Sequence, residues 1–132
     1  MERQLRGLAS LIWDTRAATV AQEWAEEMQR TGYRHRTNLA ERFSQEGFVG
    51  SIGENIAFGF RTSAAVNDAW VKSDGHRHNL LNSGFTGMGV GIVCRPDGTM
   101  MAVENFIGQG YDPALPPADP RATNATGGVS CG

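Results

Sequence analysis

Two apolar runs, Met88 to Cys94 and Met100 to Ile107, flank Pro96-Asp97-Gly98 and constrain the fold more than any other part of the chain. The first alternates as a strand does and the second reads as its partner, so the turn between them closes an antiparallel hairpin. Gly89 and Gly91 lie in the first strand, where the missing side chains let something large pack close. A third run, Ile52 to Phe60, carries Gly53 and Gly59 and suits a short buried strand better than a helix. The sheet therefore has at least three strands.

Between Asp14 and Thr31, apolar residues recur at Ala17, Val20, Ala21, Trp24, Ala25 and Met28, the spacing of one helical face. Asp14 or Thr15 caps this helix and Gly32 ends it. Thr62 or Ser63 opens a second helix that presents Val66, Ala69 and Trp70 and stops near Ser73, because Asp74-Gly75 is a helix-ending pair. His76 is then expected just past a helix end, and Asn79 to Gly84 as a turn or single helical twist. Tyr33 to Gly50 has many charges and no clean period, and reads as a long connection with a short helix at Asn38 to Phe43. Trp13, Trp24 and Trp70 are assigned to the core.

At 132 residues the chain has room for one domain, placed at residues 1–110. After Gly110, prolines 113, 116, 117 and 120 exclude regular structure, so residues 111–132 form a tail. A formal charge of -2 lacks the basic excess of nucleic-acid binding, and nucleic acid is not expected as a partner. No apolar stretch approaches the roughly 20 residues of a transmembrane segment, and Met1 to Arg6 lacks a signal peptide's apolar centre. Met1 is equally compatible with a start inside a longer exported precursor. Cys94 and Cys131 permit one disulfide, which would tie the tail back, stabilise by about 3 to 4 kcal/mol and favour an oxidising compartment.

Three polar segments stand apart from this framework: His35 between Arg34 and Arg36, Gly53-Glu54-Asn55-Ile56, and Trp70-Val71-Lys72-Ser73-Asp74-Gly75-His76-Arg77-His78-Asn79-Leu80-Leu81. With Trp13, Ala21-Gln22-Glu23-Trp24-Ala25 and Gly89-Val90-Gly91, their order and spacing resemble the CAP superfamily of cysteine-rich secretory proteins, wasp-venom antigens and plant pathogenesis-related proteins. The chain is most similar to the bacterial SCP-like extracellular members, over roughly Leu8 to Gly108. The resemblance implies an α+β fold, a three-layer α-β-α sandwich around a central antiparallel sheet, in an extracellular or cell-envelope protein. It also implies a cleft holding the family's two histidines, here His35 and His76, with its first glutamate at Glu54. The second glutamate position is Ser73, followed by Asp74. The family's first helix is only partly accommodated by Met1 to Gly7, which would leave Leu5, Leu8, Leu11 and Ile12 beside an uncovered strip.

Chemistry follows from those residues. Neutral imidazoles at His35 and His76, with Glu54 completing or orienting the shell, can hold zinc or another divalent metal. The competing reading, which we prefer, is an ordered polar cleft without a bound metal. Glu54 and Asn55 can equally serve to pin backbone groups. Arg34 and Arg36, on extended backbone, point away from His35. Arg77 reaches an anionic ligand, or pairs with Glu54 or Asp74 as a buried ion pair. His78 belongs to the surface, and Ser73 as a nucleophile lacks an evident oxyanion site. No catalytic residue is assigned. The expected function is a secreted, non-catalytic module binding a lipid, a sterol-like molecule, a cell-envelope component or a protein. The alternative is a metal-dependent peptidase or esterase with Glu54 as general base.

Overall fold

Helix α1 (Thr15–Thr31) lies directly on strand β3 (Phe85–Cys94), and the glycines of that strand are the reason it can. The structure is a computed structural model that describes residues 11–108 and 129–131. A Cβ at Gly89 would stand 2.0 Å from the backbone nitrogen of Ala18, and one at Gly91 2.2 Å from that of Gln22. The helix is fixed at its start by Asp14, whose side chain accepts from the amides of Arg16 and Ala17 while its own N–H donates to the Met88 carbonyl. Gly32, at φ 114°, ends it as expected.

Strand β3 runs antiparallel to β4 (Met100–Gly108), which pairs antiparallel with the edge strand β2 (Ile52–Phe60). Two residues, β1 (Ile12–Trp13), add on to β3 in parallel, giving the order β1-β3-β4-β2. The sheet is thus mixed, antiparallel apart from this short addition, which two residues carry too little pattern to announce. One face packs on α1 through Ile56, Met101 and Val103, and through Ile107 toward the short helix α2 (Leu39–Gln45). The other face, through Ala57, Met100 and Ala102, meets Val66 and Trp70 of α3 (Ser63–Lys72). These are the three layers of an α-β-α sandwich.

Beyond α3 the structure departs from the sequence reading. Asp74 to Leu80 is a helix, α4, separated from α3 by the single extended residue Ser73. Asp74-Gly75 reads as a stop, yet Gly75 does not take the left-handed conformation of a terminator, and an acidic residue in a first turn favours a helix start. The tail returns to the core at its end. Cys94 and Cys131 are disulfide-bonded, Cys131 is buried, its N–H donates to the Arg61 carbonyl, and Ser130 bridges to Thr62. Leu11 is buried and Ile12 half-exposed. Leu5, Leu8, the segment Met1 to Gly7 and the tail prolines lie outside the described residues.

Two measurements test this architecture. Gly91→Ala should lower the unfolding free energy by about 3 kcal/mol by prising α1 from β3, whereas Gly75→Ala, where a Cβ meets nothing within 4 Å, should be neutral or slightly stabilising. Urea denaturation of both variants separates the cases. Reduction of the disulfide, or Cys94→Ser with Cys131→Ser, should cost about 4 kcal/mol for a sequence separation of 37 residues, read as a drop in thermal midpoint.

Candidate functional site

Strand β2 is an edge, and alternation sends Glu54, Ile56 and Phe58 toward the α1 layer and Asn55 and Ala57 toward α3 and α4. Two groups of polar residues meet around that edge, one from each side. On the α1 side, the chain leaving the helix brings His35 over Glu54. The His35 ring N–H at Nδ1 donates to Glu54 Oε1 at 2.9 Å, and the Arg36 backbone N–H donates to the same oxygen at 3.0 Å. The imidazole stays 61% exposed while the Glu54 side chain is 6% exposed. Arg34 and Arg36 turn elsewhere, stacking over Trp24 at 4.8 and 5.4 Å, and Arg36 donates to Glu23. The alternation in this segment therefore keeps both guanidinium groups off the histidine.

On the other side, Ser73 Oγ and His76 Nδ1 share a hydrogen bond of 3.0 Å. Burial lowers the His76 pKa, and the nearby His35 adds to the effect, so His76 favours the neutral imidazole. Beneath it the two asparagines of the motifs interlock. Asn55 Nδ2 donates to the His76 carbonyl and to Glu104 Oε1, and Asn79 Nδ2 donates to Asn55 Oδ1 and to the Glu54 carbonyl. A Cβ at Gly53 would fall 2.7 Å from the Phe85 ring and 3.2 Å from Asn79 Oδ1. Glycine, glutamate and asparagine at 53 to 55 thus seat α4 against the sheet edge as well as forming the site.

The structure gathers His35, Glu54, Ser73 and His76 around one edge, with Asn55 directly below. Asp74 and Arg77 are elsewhere. They pair with each other on the outer side of α4, where Asp74 is 92% exposed, and with His78, Leu81, Asn82 and Ser83 they line an open hollow of about 500 Å³. The pair is a surface one and does not involve Glu54. Arg77 sits at the fourth position of a short helix, one turn from Asp74, and that spacing makes Asp74 its nearest partner.

A zinc centre needs three or four donors converging on one point. Here Glu54 Oε1 already receives the His35 ring and the Arg36 amide, the second acidic position is a serine bonded to His76, and no group of three His, Cys, Asp or Glu side chains assembles for a metal among the described residues. This donor set does not fit a resident zinc, and no step below passes through one.

Glu104 escaped the sequence reading. It stands in the centre of the apolar run from Met100 to Ile107, where the pattern reads it as one more strand residue. In the folded chain it is fully buried, and burial pushes its carboxyl up to about 8, the bond from Asn55 opposing. Its neighbour Asn105 is also buried, across the strand pair from Glu54. The available signal was an adjacent acid and amide where a central strand should be apolar throughout.

An α-β-α sandwich with two histidines and a glutamate at one sheet edge defines a class, and the comparisons agree with it. Residues 2–109 match the family model described as the cysteine-rich secretory protein family, CAP, and the chain belongs to that family. It is 38% identical over 97 residues to the uncharacterized membrane protein YlbC of Bacillus subtilis (strain 168), covering 68% of this chain and 28% of that protein. With the uncharacterized protein YkwD of the same organism it shares 33% over 114 residues, 82% of this chain and 43% of the relative. The chain therefore spans less than half the length of these relatives. A solved structure of an extracellular protein containing a SCP domain from Bacillus anthracis is similar at a TM-score of 0.71 and 34% identity, covering 82% of this chain and 37% of that one.

Glu104 makes a prediction about stability. Its carboxyl is raised from 4.5 to about 8, so between those values the native protein keeps a proton that the unfolded chain has released. Stability from this group is complete below the lower value and is lost as pH rises through the upper one, by about 1.4 kcal/mol per unit. Glu104→Gln removes the effect, so the unfolding free energy of the variant relative to wild type should grow from pH 5 to pH 8 in urea titrations.

Proposed function

We propose that this chain is an extracellular or cell-envelope binding module that performs no turnover, and that the edge formed by His35, Glu54, Ser73 and His76 takes a polar cell-envelope component. The observation that carries this reading is the state of Glu54. One oxygen is clamped by the His35 ring and the Arg36 amide, and the other is buried with no hydrogen-bond partner among the described residues. A clamped carboxylate is poorly placed to take a proton from water. A buried acceptor left unpaired costs about 1 to 3 kcal/mol, which a ligand recovers by bringing a hydroxyl or amide donor past the side chains that cover it. Both imidazoles are held through Nδ1, which leaves Nε2 to meet such a ligand.

A lipid finds less support. The apolar hollow lined by Phe43, Phe48, Val49 and Ile52 holds about 180 Å³, below the roughly 300 Å³ where small-molecule sites begin. Residence outside the cytoplasm is supported by the disulfide and by the similarity to an extracellular protein. No helix among the described residues is long and apolar enough to cross a membrane.

Titration of isotope-labelled protein with soluble peptidoglycan fragments, beside peptide and ester turnover assays, tests the proposal. The His35 and His76 ring resonances should shift on binding, the affinity should fall about tenfold in Glu54→Gln, and no substrate should turn over. Turnover abolished by Glu54→Gln or Ser73→Ala would replace the binding module with a hydrolase. A lipid recovered from protein purified from its host would replace the polar ligand.

A further inference from the structure

Helix α4, which carries His76, is held to the sheet without a buried side chain of its own. Its attachment beneath the site is the pair of asparagines, and the Asn55 amide is fully committed there. One hydrogen of Nδ2 goes to the His76 carbonyl at 3.2 Å, the other to Glu104 Oε1 at 3.3 Å, and Oδ1 receives Asn79 at 2.9 Å. The orientation of Asn55 is therefore set by Glu104 from below and by α4 from above.

We propose that Glu104 is a positioning residue for the His76 side of the site: its neutral carboxyl holds Asn55 where it grips the His76 carbonyl, and loss of the proton frees the start of α4. A neutral carboxyl accepts a modest hydrogen bond and leaves Asn55 balanced between two acceptors. A carboxylate in the same position accepts far more strongly and, lacking a cation, must draw in the amide or water. Either response shifts the Asn55 amide and lengthens the bond that its other hydrogen gives the His76 carbonyl. The start of α4 is the part that yields, since the apolar contact of this helix with the core, Leu80, lies at its far end.

Among the described residues Glu104 has no charged partner on any side. Across the sheet it faces Asn55 on β2 and Val90 on β3, while Glu54 points to the opposite layer. On α4, Asp74 and Arg77 are paired at the outer surface, His78 lines the outer hollow, and His76 presents its backbone carbonyl. On α3, Asp68 and Lys72 pair in solvent. Burial alone, offset by the Asn55 bond, raises its pKa. The transition falls above the range where His76, whose own pKa is lowered, changes charge.

This inference rests on the reading of the His35, Glu54, Ser73 and His76 edge as a binding site only for its consequence, and its first test needs no ligand. NMR of the labelled 132-residue chain from pH 7 to 9.5 should show one transition near pH 8 shared by the Glu104 carboxyl carbon, the Asn55 side-chain amide and the backbone amides of residues 74 to 80. Glu104→Gln should hold those amides at their low-pH positions throughout. A Glu104 carboxyl that titrates while α4 stays still, or an α4 transition that persists in Glu104→Gln, overturns the proposal, and the first comparison needs only wild type. With peptidoglycan fragments as probe, wild-type affinity should weaken about tenfold from pH 7 to 9.5 and the variant's by less than twofold. An absence of binding at every pH would refute the ligand reading while the α4 shift still decides the role of Glu104.

Discussion

The backbone-to-backbone approach of α1 to β3 is the constraint on which the rest depends. With no side chains at Gly89 and Gly91, the helix sits closer to the sheet than any pair of larger residues would allow, and Ala17 and Ala21 keep its own contacting face low. This depth has two consequences. It lets the Gln22 side chain reach around the strand and bond both the N–H and the carbonyl of Ile92. It also fixes where the chain emerges after Gly32, so that Tyr33 to Arg36 comes down on β2, two strands away, with His35 over Glu54.

Gln22 belongs to a wider pattern in which side chains close the sheet's edges. An uncovered edge strand invites pairing with another chain. On β3 the Gln22 amide imitates a neighbouring strand at one residue. On β2 the outward carbonyls of Ile56 and Glu54 are taken by the Trp70 indole N–H and by Asn79. Asn79 is thus an edge cap, and the helix that delivers it also delivers His76. Closing the sheet and assembling the polar site are one arrangement, which explains why glycine, glutamate and asparagine at 53 to 55 and histidine and asparagine at 76 and 79 form a single hydrogen-bonded unit.

Much of this was legible because each feature had a local cause. The periodicity of Ala17 through Met28 places α1, alternation and Pro96-Asp97-Gly98 place the hairpin, and the family resemblance implies the three layers. What escaped depended on tertiary context. Asp74-Gly75 ends helices in isolation and so predicts a turn, yet here Ser73 breaks the helix for one residue and the asparagine network offsets the cost of the restart. Asp74 is one of the two partners the sequence offers Arg77, and the helix places that pair on its outer surface instead of burying it. Glu104 was hidden by its neighbours, since no periodicity distinguishes a buried acid from a surface one on a strand.

The substitution pattern at the site gives the two imidazoles different companions. His35 is oriented by a carboxylate, whereas at the position where the family's second glutamate would stand Ser73 orients His76 with a hydroxyl. A hydroxyl imposes no charge on its partner, and burial together with His35 already favours the neutral ring at 76. A second carboxylate there would reverse that balance by stabilising the imidazolium. The serine therefore keeps one side of the edge uncharged while Glu54 supplies the charge on the other. Such an asymmetric pair suits a ligand that offers both donors and acceptors better than it suits a bare cation, and the buried acid at 104, neutral when the site is assembled, adds no competing charge beneath it.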